Sequence, residues 1–222
     1  MASRTSSRVA RRLSRRHAIA ALGAAILAAV PARRPARASG TVANFIETLG
    51  DRAILQLAGD GISNGERESR FRALLRDSFD VTRICRFVLG RYARKTSKAQ
   101  MAEFRQLYED VAVLTYAHLF ASYAGQGFTV KREVGAPGDR YMLVLTEIQP
   151  GDSKPPVKLD WQVKVSGDNY AVVDIRVEGA SMAITQREEF TSVLDRNGGD
   201  IDDLLAQLRA KAGKLRAKRK NS

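Results

Sequence analysis

Between Thr41 and about Ala124 the apolar residues recur at helical spacing. Val42, Phe45, Ile46, Leu49, Ala53 and Leu57 form one stripe, predicting a first helix that stops near Gly59–Asp60–Gly61. Shorter helices are expected over Glu66 to Asp77 and Val81 to Leu89. Ser97–Lys98–Ala99–Gln100 is a capping box, in which side chain and backbone satisfy each other's free groups. It opens the longest predicted helix, with Met101, Phe104, Leu107, Tyr108, Val111, Leu114, His118 and Leu119 on a broad inner face. Gly125 and Gly127 end it.

After Gly127 the period changes from 3.6 to 2. Phe128, Val130, Arg132 and Val134 alternate with Thr129, Lys131 and Glu133. Leu159, Trp161, Val163 and Val165 alternate with polar neighbours, and Ala171, Val173, Ile175 and Val177 form a third such series. Strict alternation means one buried and one wet face, as in an antiparallel sheet. Tyr141 to Leu145 is apolar on both faces, which predicts an interior strand. Gly, Pro, Asp and Asn clusters between these runs supply the turns. A last helix is expected from Asp200, with Ile201, Leu204, Leu205 and Leu208 inward, acids at its start and bases at its end. The pattern therefore predicts an α+β fold: helices, a curled antiparallel meander of about four strands, then a C-terminal helix, packed in layers.

The first 38 residues read differently. The apolar run Ala18 to Val30 has 13 residues, short of the roughly 20 needed to cross a bilayer. Six arginines and no acid precede it, Pro31 breaks it, and Ala36–Arg37–Ala38 offers a small-x-small cleavage site. Residues 1–38 are expected to be a signal peptide cut after Ala38, and Ser14–Arg15–Arg16 suggests the twin-arginine route to the periplasm. The competing reading is an uncleaved anchor.

That segment changes what the charge means. The chain carries 37 basic and 24 acidic residues, net +13, which taken whole suggests a nucleic-acid binder. Residues 1–38 hold nine of the bases and residues 209–222 seven more, with no acids in either. The remaining 21 bases face all 24 acids, so residues 39–208 carry −3 and no basic face is expected. Nucleic acid is thereby excluded as a partner.

Candidate chemistry is sparse. Cys85 is the only cysteine, so no intramolecular disulfide forms, and it is expected to be a small buried hydrophobe. Of two histidines, His17 leaves with the signal and His118 is expected to be a core residue, so no zinc site can be assembled. Gly179–Ala180–Ser181–Met182–Ala183 approaches a nucleophile elbow, but no histidine follows it. No enzyme activity, catalytic residue, cofactor or metal is expected.

Two stretches carry a resemblance. Ser78 to Tyr92, containing Phe87–Val88–Leu89–Gly90–Arg91–Tyr92, and Val173 to Met182, followed by Gln186 to Phe190, resemble the toluene-tolerance (MlaC) family of periplasmic phospholipid-binding proteins. The hopanoid-associated HpnM branch is a candidate nearer relative. The resemblance runs from about Phe45 to Leu208; Ala93 departs from it, where a bulky aromatic is expected. It implies an NTF2-like sheet wrapped by helices around an apolar cavity, and a non-enzymatic carrier of phospholipid or hopanoid. Its implied partners are an outer-membrane lipoprotein–porin complex and an inner-membrane ABC transporter complex with a membrane-anchored lipid-binding subunit.

On that footing residues 39–210 form the lipid-binding domain. The expected lining is Ile84, Phe87, Val88 and Tyr92, then Leu114 and Leu119, faced by Trp161, Val163, Val173, Ile175 and Met182 from the sheet side. Headgroups are expected at the mouth, in solvent. The basic tail, residues 211–222, is either a solvated helix end or a peripheral contact with anionic membrane. Periodicity does not separate a hollow core from a filled one, so an exported accessory module with a solid core stays open beside the carrier.

Overall fold

The computed structural model describes residues 41–59, 61–122, 125, 127–149 and 155–220. The expected signal peptide and its cleavage site lie outside them. Thr41 caps α1 (Val42–Leu57), its side-chain oxygen accepting from the Asn44 N–H at 3.2 Å. Val42, Ile46, Leu49 and Leu57 are its buried stripe. Ser63 caps α2 (Asn64–Ser78) in the same way, so that helix starts two residues before the expected Glu66. Arg67 is buried between the two: its guanidinium donates to the Leu57 and Gly59 carbonyls at 2.9 and 2.6 Å, satisfying groups that the end of α1 leaves free.

Asp80 caps α3 (Val81–Val88), which passes through a 3-10 turn, Gly90–Arg94, to the Ser97–Gln100 capping box and α4 (Lys98–Tyr116). A second 3-10 turn, Ala117–Ser122, follows. Here the expected helical face fails. At about three residues per turn instead of about 3.6 the stripe rotates away, and His118 and Leu119 are exposed instead of buried.

The sheet is an antiparallel meander, β1 (Gly127–Val134), β2 (Tyr141–Gln149), β3 (Val157–Ser166), β4 (Asn169–Val177) and the two-residue β5 (Ala180–Ser181). About four strands were expected; the fifth is a short edge built by the turn after β4. Two bulges overturn the simple alternation. One, between Val130 and Arg132, turns Glu133 inward to accept from the Ala43 N–H at 2.9 Å and leaves Val134 exposed. The other pairs Gln162 with Asp174 but Val163 with Val172, leaving Val173 as the extra residue. Tyr170, Val172 and Ile175 therefore share the inner face, not the expected Ala171, Val173, Ile175 and Val177.

Glu178 and Gly179, at φ 49° and 84°, form a two-residue turn that needs positive φ at both positions. Ser181 then caps α5 (Met182–Arg196), a helix that the apolar pattern does not predict because its buried side chains are only Ala183 and Leu194. α6 (Ile201–Lys220) follows and runs through the boundary expected at residue 210: Ala212 is fully buried and Arg216 pairs with Asp110 at 2.7 Å. Gln100, Glu103 and Asp110 of α4 meet Asp202, Arg209 and Arg216 in that order, so α4 and α6 run side by side in one direction.

Two apolar cores result. One is helical, with Cys85, Val88, Leu89, Phe104, Leu194, Leu204 and Leu205 at its centre. The other lies between α1, α2 and the inner sheet face, around Ile46, Leu57, Val144, Val163 and Val172. Phe79 touches both. The enclosed apolar cavity expected from the resemblance is not shown among the described residues: in the second core the two layers touch, as apolar surfaces do when a gap would forfeit dispersion contacts.

Candidate functional site

Among the described residues, α1 and α2 cover the inner face of the sheet along an apolar seam. Its centre is fully buried, but its margin is a set of half-buried aromatic rings. Phe45 meets Tyr170 at 5.7 Å, Phe71 meets Phe120 at 6.1 Å, and Phe128 stands edge-on to Trp161 at 6.4 Å between centroids. α1 reaches Phe128 through Gly50, where a Cβ would stand 2.5 Å from the ring. Polar groups are sparse and paired: the Trp161 indole N–H donates to Thr146 Oγ1 at 3.0 Å, and that hydroxyl donates to the Leu159 carbonyl at 2.6 Å.

On the opposite face of the sheet a half-open groove of about 620 Å³ lies under α3 and the start of α5. Ile84, Phe87, Tyr141, Val173 and Ile184 give it apolar surface; Arg83, Arg86, Lys164 and Arg176 give it charge. Its two acids are engaged. Asp80 caps α3 and accepts from Lys164 Nζ at 2.9 Å, and Asp174, itself buried, accepts from Ser181 Oγ at 2.6 Å and the Ala183 N–H at 2.9 Å. Burial works to raise the Asp80 pKa, but the hydrogen bonds from Lys164 and the Arg83 N–H and their charges outweigh it and hold the carboxyl below its ordinary value. Arg83 stacks over the Tyr141 ring at 5.1 Å, and Arg86 and Arg176 make no ion pair among the described residues. The body was expected to have no basic face. The correction is local: an average of −3 over 170 residues conceals bases that α3, β3 and β4 bring to one place. The signal was Arg83 and Arg86 one turn apart, facing the polar positions of two strands.

A second groove, of about 320 Å³, runs between α4, α5 and α6 and is mostly apolar, with Tyr108, Tyr116, Met182, Phe190 and Leu208 in its walls. Burial pushes the Tyr108 hydroxyl well above its ordinary pKa, and it donates to Gln186 Oε1 at 2.5 Å.

The eleven residues expected to line one cavity are spread over these places. Trp161, Val163 and Ile175 lie in the seam. Ile84, Phe87 and Val173 line the cationic groove, and Met182 lines the second groove. Val88 and Tyr92 belong to the helical core, the Tyr92 hydroxyl pairing with Asp195. Leu114 is buried near the end of α4, and Leu119 lies beyond it, exposed. Ala93, the departure noted above, packs on the helical core and lines neither groove.

The two motif stretches serve geometry. Gly90 holds φ 55° where a Cβ would lie 3.1 Å from Thr191, which lets α3 turn into the 3-10 segment against α5. In the other, Asp174, Glu178, Gly179 and Ser181 make the turn and lock it to α5. Ser181 is thus a helix cap. Among the described residues no cluster of three or more His, Cys, Asp or Glu could hold a metal, and no helix is long and apolar enough to cross a membrane.

Fold and sites together define an α+β domain: a meander sheet, an apolar seam on one face and a charged groove on the other. The sequence profile of the MlaC protein family matches residues 51–210, and the chain belongs to that family. It is 24% identical over 112 residues to the toluene tolerance protein Ttg2D of Pseudomonas putida, a match covering 50% of this chain and 51% of that protein. The chain thus spans about half the length of this curated relative. Among solved structures it resembles the phospholipid-binding protein from Ralstonia solanacearum, determined in complex with a phospholipid. That likeness has a TM-score of 0.71 at 21% identity and covers 78% of this chain and 97% of the other.

Proposed function

We propose that the protein is exported to the periplasm, holds phospholipid or hopanoid by its hydrocarbon tails, and shuttles it between outer-membrane and inner-membrane transporter complexes. The observation that carries this reading is the fold shared, over 78% of this chain and 97% of the other, with a protein solved with phospholipid bound. Membership of the MlaC family agrees with it. The tails enter the seam, and Trp161, Val163 and Ile175 contact them. The seam suits this because its rim is aromatic and only half-buried, so that tails can enter from its edge. The energy scale is demanding. At about 0.8 kcal/mol per methylene, about 30 methylenes cost over 20 kcal/mol to leave in water, so the interior must compensate nearly all of it.

The closed centre of the seam favours a second reading, an exported accessory module with a solid core. Denaturing mass spectrometry on an organic extract of the protein purified from the periplasm separates them. The carrier yields phospholipid or hopanoid near one equivalent; a folded protein with no extractable lipid refutes it.

A further inference from the structure

The cationic groove lies on the face of the sheet away from the seam, and the tails do not account for it. Its four bases face two acids, and both acids are committed to capping and pairing. Arg86 and Arg176 are left without an ion-pair partner among the described residues. The groove also includes Tyr141, whose hydroxyl is buried with no hydrogen-bond partner among the described residues. A buried donor without an acceptor, beside unpaired guanidiniums, is a site short of anionic oxygen. Two of the chain's exposed large apolar side chains, Phe87 and Ile184, line the same groove at 40% and 51% exposure. A free inorganic anion has no use for them; an anion carried on hydrocarbon does.

We propose that this groove binds the phosphate headgroup of an anionic amphiphile, with Arg86 and Arg176 on the phosphate oxygens, Tyr141 donating its hydroxyl, and Phe87 and Ile184 against the adjoining carbon chain. Guanidinium forks match phosphate geometry, and the volume of about 620 Å³ is that of a small-ligand site. The inference rests on the lipid-carrier reading for the nature of its occupant, and adds selection by headgroup to retention by tail.

The test is titration calorimetry of the delipidated protein with three probes: dihexanoyl phosphatidic acid below its micelle concentration, inorganic phosphate, and octyl glucoside. The variants are Arg86→Gln/Arg176→Gln, Tyr141→Phe, and Arg94→Gln as an exposed arginine away from the groove. The parent binds the phosphatidic acid more tightly than inorganic phosphate. The double variant weakens that binding about tenfold or more, given the strength of hydrogen bonds to charged groups. Tyr141→Phe weakens it less, Arg94→Gln leaves it unchanged, and octyl glucoside does not distinguish the proteins. Equal binding of phosphatidic acid by parent and double variant overturns the proposal; if long-chain lipid still co-purifies, the carrier reading survives that failure. Inorganic phosphate binding as tightly as the lipid overturns the amphiphile and assigns the groove to free anion. Arginine-dependent binding in a parent that co-purifies no lipid supports the groove and refutes the carrier.

Discussion

Cys85 shows how one side chain records its surroundings. It sits in the helical core with no exposure, and burial, with the Glu109 charge behind it, pushes its thiol from 9.0 up to about 12. The thiolate is the reactive form, so the native protein should resist alkylation by iodoacetamide at pH 8 and label fast once denatured. The sign of the linked stability follows. The folded chain holds this proton more tightly than the unfolded chain, so the contribution is complete below pH 9 and is lost as pH rises toward 12. Denaturant midpoints measured across that alkaline range should fall, and a Cys85→Ala variant should fall less. Labelling of native and denatured protein at equal rates would mean that the helical core opens on its own.

At the scale of elements, the turn from β4 into α5 is held by two side chains of different weight. Ser181 is half-buried, and its hydroxyl accepts from the Ile184 N–H as the α5 cap while donating to Asp174, so Ser181→Ala should cost about 1–2 kcal/mol. Asp174 is buried and accepts from both the Ser181 hydroxyl and the Ala183 amide, so Asp174→Ala should cost more, about 2–3 kcal/mol, because it strands buried donors. Urea denaturation of both, with the double variant, should give less than the sum, since one network is being cut twice. This corner also marks where sequence reasoning stops. Helices with continuous stripes, α1 and α4 above all, were legible from the spacing of their apolar residues and, for α4, from the Ser97–Gln100 capping box, whereas the Thr41 cap of α1 was not. The strands were legible as strands, but their faces were not, since a bulge adds one residue and inverts everything beyond it; Val173 gives no sign that it is that residue. α5 was illegible because it buries so little of itself. The family motifs were legible as motifs, yet what they specify is turns and caps, so they point to the fold without pointing to the site.

For the molecule as a whole the question is whether two layers that touch can part. The helical core meets the seam at Phe79, and α4 and α6 are tied along their length by ion pairs, so it can serve as the fixed body. The seam joins the sheet to α1 and α2 with half-buried rings at its rim, and in the proposed reading a lipid tail passes between rim rings such as Phe128 and Phe120 toward Val144 and Val163. Trp161 lies on that path and is the only tryptophan in the chain, so it reports on the seam alone. Loading the delipidated protein with a phospholipid brominated midway along its chains should quench the fluorescence of Trp161 strongly, because bromine acts at near contact. The unbrominated lipid should only shift the spectrum as the rim rearranges. Phosphatidic acid with dihexanoyl chains, occupying the groove on the other face of the sheet, should leave the intensity nearly unchanged. Unquenched Trp161 in a protein shown by extraction to hold the brominated lipid would move the tails out of the seam, and the mostly apolar groove between α4, α5 and α6 would be where to look for them.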